Sequence, residues 1–285
     1  MRPLRWLALL GGFCLSACES TVGIELAVAD TDGVESVRVK VESVQLIDAD
    51  GGLHDLDADD VARDLRDSVD GSVAVLIAAA EIDDGTYTGL RLQFGEGPHT
   101  LQMSDGRVFE LLRDSNVEYA DLTLDIEEDE SSEVVATLDL RFSLVADDDS
   151  GTYRLVPVLR AVDVVRGASI SGALPTTAVS DTVCRQGRDV GVGVAVYLYD
   201  DAAGAPADYR RGRSGPLASA PARPVEGAWG YAFDWLEPGS YALAWTCDAD
   251  RDHPEQDDAM NFVSGSTVVV TVEAGAAVVL DMPEF

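Results

Sequence analysis

Ser36-Val37-Arg38-Val39-Lys40-Val41-Glu42-Ser43-Val44-Gln45-Leu46 is the stretch that decides the fold. Val37, Val39 and Val41 alternate with Arg38 and Lys40, a period of two that puts the valines on one face of a half-buried strand. After Val41 the apolar phase slips by one residue, to Val44 and Leu46. An extra residue at Glu42-Ser43 absorbs that slip, so a β-bulge is predicted there. Asp48-Ala49-Asp50-Gly51-Gly52 then closes the strand with turn residues.

The same grammar repeats downstream. Residues 55–70 are acidic and weakly patterned, and the alanine-rich run from Val73 to Ile82 lacks strict alternation. That run is expected to be the one short helix, near 73–82. Asp84-Gly85-Thr86-Tyr87 is a turn, followed by Leu90, Leu92 and Phe94 on one strand face. Ser104-Asp105-Gly106 reads as a hairpin tip between residues 100–103 and 107–111. Leu122, Leu124 and Ile126 alternate, Glu127 to Glu130 turns, and Leu138, Leu140, Phe142 and Leu144 alternate again. Asp147 to Gly151 turns the chain into a final strand from Tyr153 to Val165. Short strands at this spacing predict a β-sandwich.

A second unit begins at Gly167. Val190, Val192, Val194, Val196 and Leu198 are expected on one strand, with Gly191, Gly193 and Ala195 on its other face. Residues 201–224 form a loop rich in Ala, Gly, Pro and Arg. Trp229, Tyr231, Phe233 and Trp235 alternate on the next strand, and Glu237-Pro238-Gly239-Ser240-Tyr241 follows it. Val268 to Val272 and Val278 to Leu280 are expected to close as a hairpin around Glu273-Ala274-Gly275. The fold class predicted is all-β, two sandwiches of immunoglobulin or transthyretin type in tandem.

At the other end of the chain, Arg2 and Arg5 precede an apolar core from Trp6 to Leu15. Ten apolar residues are too few to span a bilayer, which takes roughly 20, and the build is that of a secretory signal peptide. Leu15-Ser16-Ala17-Cys18 resembles the bacterial lipoprotein cleavage box. The resemblance implies loss of residues 1–17, a lipid on Cys18 and a tether over residues 18–21. Glu19 in place of Asp after that cysteine implies sorting to the outer membrane in enteric-type lipoproteins. The expected address is therefore the cell envelope, on the periplasmic or the outer side.

Two further resemblances follow. Gly33-Val34-Glu35-Ser36-Val37, Gly85-Thr86-Tyr87-Thr88-Gly89-Leu90-Arg91-Leu92 and Tyr153-Arg154-Leu155-Val156-Pro157-Val158 make residues 22–165 similar to a bacterial lipoprotein domain of unknown function, number 4382. Gly230-Tyr231-Ala232-Phe233 with Leu236 to Tyr241 makes residues 168–285 resemble the carboxypeptidase-regulatory-like, transthyretin-like sandwich. The first resemblance implies architecture and address but no activity; the second implies a non-catalytic accessory. Gly85-Thr86-Tyr87 and Gly239-Ser240-Tyr241 echo one another across the two units.

Composition narrows the partners. The 285 residues carry a formal charge of −32; cleavage removes Arg2 and Arg5 and leaves 18 basic residues against 52 acidic, or −34. Nucleic acid is a poor partner for such a chain, since binding neutralises phosphates with Lys and Arg. With Cys14 lost and Cys18 lipidated, Cys184 and Cys247 remain in a compartment where disulfides persist, and they are expected to pair. Free thiols or a metal pair are the alternative.

Asp248, Asp250, Asp252, Glu255, Asp257 and Asp258 form the candidate metal site, with calcium as the cation. An EF-hand is excluded, because His253 and Ala259 stand where its glycine and glutamate belong. A solvated acidic loop is the plainer alternative. Trp235 is the candidate ligand-binding residue, a stacking platform for a sugar ring at the end of the aromatic row. Arg210, Arg211, Arg213 and Arg223 could grip an anion or pair with the chain's own carboxylates. His54, His99 and His253 have no metal-ligand spacing. The sequence has no nucleophile elbow, phosphate loop or dinucleotide fingerprint. A lipid-anchored, non-catalytic binding or structural protein is the expected function, with an envelope protein or glycan as partner. A calcium-dependent adhesion or glycan-binding module is the alternative, and a hydrolase with an unidentified carboxylate pair ranks third.

Overall fold

A computed structural model describes residues 19–29, 32–56, 62–64, 73–96, 99–113, 117–147, 151–200 and 204–283. The leader 1–17 with Cys14, and the candidate lipidation residue Cys18, lie outside these described residues.

The first unit runs through β1 (Thr21–Ala29), β2 (Val34–Asp48), β3 (Leu53–Leu56), β4 (Ala62–Asp64) and β5 (Ala74–Glu81). It continues with β6 (Gly85–Phe94), β7 (Thr100–Met103), β8 (Val108–Arg113), β9 (Val117–Ile126) and β10 (Ser131–Asp139). The one-turn helix α1 (Leu140–Ser143) leads into β11 (Leu144–Asp147), β12 (Thr152–Leu155) and β13 (Leu159–Asp163). One sheet has the order β13-β10-β1-β5. The other follows β11-β12-β8-β7-β2-β6-β9, with β3 and β4 also paired to β2. Val22, Ile24 and Leu26 from the first sheet meet Val37, Val44 and Leu90 from the second in one buried core.

β2 shows how the sequence pattern works. Its first half pairs with β7 and its second half with β6, and the register shifts between Val41 and Ser43. The bulge lets Val37, Val39 and Val41 face inward before it and Val44 and Leu46 after it; all five are 3% exposed or less.

The second unit contains β14 (Ala168–Leu174), short helices α2 (Thr176–Ser180) and α3 (Thr182–Arg185), β15 (Ala195–Asp200), β16 (Ala218–Pro221) and β17 (Arg223–Val225). β18 (Ala228–Leu236), β19 (Gly239–Thr246), β20 (Val268–Val272) and β21 (Ala277–Val279) complete it. Its sheets have the orders β17-β18-β14-β21 and β16-β15-β19-β20, and Ile170, Val196, Phe233 and Leu243 fill the space between them. The Cys184–Cys247 disulfide joins α3 to the end of β19, with Cα atoms 5.2 Å apart.

The β16-β15-β19-β20 sheet is covered on its back as well. Val196 and Leu198 face the sandwich core, whereas Ala195, Tyr197 and Tyr199 pack with Ala242, Ala244 and Phe142. Phe142 belongs to α1 and is fully buried, with its ring stacked on Tyr209 at 4.1 Å. The first unit thus supplies a third layer, and β15 is buried on both faces, as its run of apolar residues requires.

Six local expectations are corrected. The stretch expected as a loop over 201–224 contains β16 and the start of β17, and the alternation from Leu138 to Leu144 is broken by α1, whose first turn Asp139 caps. Residues 74–81 form an edge strand and not a helix: this run pairs antiparallel with β1, and that tertiary pairing overrides alanine's helix preference. The predicted strand 153–165 is two strands in different sheets, separated around Pro157, which has no amide to donate. Residues 190–193 are turns, since Gly191 and Gly193 take φ of 89° and 76°. A Cβ at Gly191 would run into the ring of Trp229, so the valine alternation around it is not that of a strand. Finally, β20 pairs with β19 whereas β21 pairs parallel with β14; the two straddle the sandwich and form no hairpin.

The echoed Gly-x-Tyr turns have a common geometry. Tyr87 donates its hydroxyl to the Asp83 carbonyl at 2.8 Å, and Tyr241 donates to the Glu237 carbonyl at 2.6 Å. Each tyrosine staples the corner four residues before it, in the manner of the tyrosine corner of Greek-key sandwiches.

Candidate functional site

The units meet along a seam that begins with one row of side chains. Ala27 on β1, Thr137 on β10 and Arg160 on β13 are direct cross-strand partners. Ala136 and Leu138 point into the first core, so alternation turns Thr137 to the opposite face. On an isolated sandwich that face would be wet. Here β14, β16, β17 and β18 of the second unit stand across from it and border an open cleft of about 570 Å³.

Among the described residues, three that line this cleft carry a fully buried polar atom without a protein partner. Thr137 is 4% exposed and its Oγ1 is unbonded; Arg160 Nε and Trp235 Nε1 are also buried and unbonded. Arg160 Nη1 donates to the Trp235 carbonyl at 3.2 Å, which ties the two units together. Burial pulls the Arg160 pKa down, while the charges of Asp139 and Asp234 oppose that shift.

Trp235 reaches the cleft because β18 is bulged. Leu236 pairs with Ala168 and Phe233 with Ile170, so Asp234 and Trp235 together oppose Ser169. Trp235 takes a φ of 56°, in a region that non-glycine residues avoid. The bulge moves Leu236 into the core at 2% exposure and re-aims Trp235 out of the aromatic row. The sequence singled out Trp235 but placed it on the face of Tyr231 and Phe233; the extra residue reverses that. Gly167 leaves room for it, since a Cβ there would lie 3.2 Å from the indole.

One end of the seam is locked by Asp139, which is 1% exposed. Its Oδ1 caps α1 by accepting from Phe142 N at 3.2 Å, and its Oδ2 accepts from Ser219 N at 2.9 Å across the seam. Desolvation raises its pKa, against the pull of those amides and of Arg160 and Arg141. Arg141 Nη1 donates to the Ala249 carbonyl at 2.7 Å. Arg211 donates to the carbonyls of Phe142 and Val156 at 3.3 and 2.8 Å.

The arginine cluster is consumed by the chain itself. Arg223 pairs with Asp32 at 2.6 Å, while Arg210 and Arg213 share Asp257 at 3.2 and 3.8 Å.

The acidic run is dispersed in the same way. Asp250 pairs with Arg188, Glu255 with Arg154 at 2.7 Å, and Asp257 with the arginines just named. Asp248 is 1% exposed and accepts from Gln186 Nε2 at 2.8 Å and Asn261 Nδ2 at 2.9 Å; those bonds hold its pKa below the usual range despite burial. Asp252 and Asp258 remain, and they converge with Asp208 so that one oxygen from each lies within 4.8 Å of the others. The acidic run does not include Asp208, which sits 44 residues upstream of Asp252, in the stretch before β16. Burial pushes the Asp252 carboxyl up to about 6, although Tyr197 Oη donates to its Oδ2 at 2.7 Å.

Among the described residues, no helix is long and apolar enough to cross a membrane.

Fold and seam together define a tandem β-sandwich protein with an open cleft between its units. Residues 19–157 match the family described as "Domain of unknown function (DUF4382)". β13 lies beyond that match, although it completes the sheet of the matched region. No curated protein matches the chain. Solved structures similar to it include the Bacillus anthracis TIE protein, at 9% identity over 93% of this chain and 34% of that one, with a TM-score of 0.22. GBS52, the minor pilin of Streptococcus agalactiae, shares 8% identity over 91% of this chain and 93% of that one, with a TM-score of 0.22. The fimbrial anchor protein Mfa2 of Porphyromonas gingivalis shares 12% over 86% and 83%, with a TM-score of 0.19. The chain spans about a third of the length of the first of these.

Proposed function

We propose that the chain is a lipid-anchored, non-catalytic binding protein of the cell envelope, tethered through Cys18 to the outer membrane. The cleft at the seam is the observation that carries this reading: it is a concave, mostly apolar site with a few inward polar groups, which is how small-molecule sites are built. The likeness of residues 168–285 to carboxypeptidase-regulatory-like sandwiches agrees with an accessory role. Cys18→Ala is expected to abolish incorporation of labelled fatty acid and to shift the protein out of the membrane fraction. Equal labelling of the variant would refute the anchor.

A calcium-dependent module is the second reading, favoured by the convergence of Asp208, Asp252 and Asp258. Hard cations take oxygen ligands, and a ligand that binds only the native state raises its melting temperature. Millimolar calcium is then expected to stabilise the protein more than sodium chloride of equal ionic strength, and Asp252→Asn to erase the difference. An equal effect of the two salts would leave Asp208, Asp252 and Asp258 as solvated loop residues.

A further inference from the structure

We infer that the chain pairs with a second copy of itself along β20, the two strands running antiparallel about Val270 so that the β16-β15-β19-β20 sheet continues from one molecule into the other. The inference goes beyond the binding reading above and does not rest on it.

β20 ends its sheet: one side bonds β19, and no described strand pairs with the other. A sheet edge presents unpaired amides and carbonyls, and folded proteins blunt it with charges, proline, bulges or brevity. The other described strands at the ends of the four sheets follow that rule. β5 shifts register twice against β1, β9 carries Asp121 and Asp125, β11 carries Asp147, and β13 carries Arg160 and Asp163. β16 and β17 hold Pro221 and Pro224, and β21 is three residues long. β20 has none of these devices. It is Val268-Val269-Val270-Thr271-Val272, five strand-favouring residues paired to β19 without a register shift. Residues 259–272 contain no Asp, Glu, Lys or Arg, in a chain with 52 acidic residues. A neutral, β-branched window of this kind is what another strand recognises.

Charge decides where two copies can meet. Molecules of formal charge −32 repel one another, and they approach most easily where neither presents a carboxylate. β19 has no charged residue either, so β19 and β20 together form a neutral strip. A basic partner finds no carboxylate on that strip to grip. The sense of pairing follows from the residue beyond the strand. A parallel, in-register pair sets Glu273 against Glu273, whereas the antiparallel pair centred on Val270 sets it against Thr267 of the second copy. On the outer face Val269, which is 61% exposed, then comes opposite Thr271 of the second copy, and Thr271 opposite its Val269. The contact is the same from both sides, so it closes at two copies. Val270 and Val272 already pack against the sandwich core, and the pairing extends that core into the second molecule.

The test uses the full chain carrying Cys18→Ala, so that neither lipid nor micelle joins two copies, and reads its mass by sedimentation equilibrium from about 10 to about 500 µM. About 0.3 M sodium chloride screens the repulsion between copies. A two-copy species is expected to grow with concentration and to be favoured by added salt. Val269→Lys places an ammonium group on the strip and is expected to weaken association about 10-fold or more. Val279→Lys alters a valine that is 77% exposed on β21 and is expected to leave association unchanged. Hydrogen exchange at residues 268–272 needs no variant and should slow as the two-copy species forms. A single-copy mass throughout that range, a mass that climbs past two copies, or unchanged exchange at residues 268–272 in the associated protein would overturn the inference. So would association as strong in Val269→Lys as in the parent, or an equal loss in Val279→Lys. Fatty-acid labelling at Cys18 reads the anchor independently, so the two proposals fail separately.

Discussion

Removing the disulfide should uncouple the second unit's stability from its architecture. Cys184 and Cys247 are 63 residues apart, and the loop they close contains β15 through β19, strands of both sheets. Chain entropy alone assigns such a loop about 4 kcal/mol at 25 °C. The surrounding contacts should survive, because Arg188 Nη2 donates to the Cys184 and Cys247 carbonyls at 3.1 and 2.7 Å, and these bonds need no sulfur. Cys184 is 5% exposed, so reductant reaches the bond poorly and Cys184→Ala with Cys247→Ala is the cleaner perturbation. For a unit of about 115 residues the unfolding entropy is near 0.24 kcal/mol/K, and a loss of about 4 kcal/mol lowers the melting temperature by roughly 15 °C. Calorimetry reads the transition, and hydrogen exchange at β15 and β19 against β6 and β9 assigns it. A shift below about 5 °C would refute the entropic argument. Equal loss of protection in β6 and β9 would refute the confinement of the effect to the second unit.

The remaining predictions concern the seam and its surroundings. Because the folded pKa of Asp252, about 6, exceeds the unfolded value of about 3.9, the native state holds a proton that the unfolded state has released. Its contribution is full below about pH 4 and is lost as pH rises through 6, by roughly 3 kcal/mol; Asp252→Asn should flatten that decline in urea titrations, and an unchanged slope would contradict it. Asp139→Ala strands the amides of Phe142 and Ser219 and is expected to cost roughly 2–5 kcal/mol in denaturant unfolding; a loss under 1 kcal/mol would show the seam to be held elsewhere. Gly172→Ala drives a Cβ into the Leu280 carbonyl, and a destabilisation of about 2 kcal/mol or more is expected, with lost exchange protection at the Leu280 amide that bonds Ser171 O; retained protection would refute the clash.

Much of this architecture could be read from residue order, and the failures have physical causes. The bulge in β2 was legible because a one-residue slip in an alternating pattern has few other solutions. The Ala74–Glu81 edge strand was not, since its partner β1 lies about 50 residues upstream and local propensity is silent about it. The valine alternation from Val190 to Leu198 points to a single buried face, whereas Tyr197 and Tyr199 make the other face of β15 apolar and buried as well. What covers the second side, Phe142, could not be inferred, because it depends on how two units dock. The cleft was hidden for the same reason. Thr137 and Arg160 look like ordinary solvent-facing positions of alternating strands, and only the second unit makes them interior. The acidic run is brought together only in part: Asp250, Glu255 and Asp257 pair with arginines, Asp248 bonds Gln186 and Asn261, and Asp252 and Asp258 converge with Asp208 from a distant stretch of the sequence.

The placement of β1 has a mechanical consequence. It is laced on both sides, to β10 over nine residue pairs running parallel and to β5 on the other edge. A load applied at the chain's start pulls along this strand, so its hydrogen bonds share the force in shear and do not peel apart one at a time. The parallel partner β10 ends at Asp139, whose carboxylate grips Ser219 in the second unit. Tension entering at Thr21 is thus handed to β10 and on to the second sandwich, while the nine-stranded sheet with its long β2 stays off the load path.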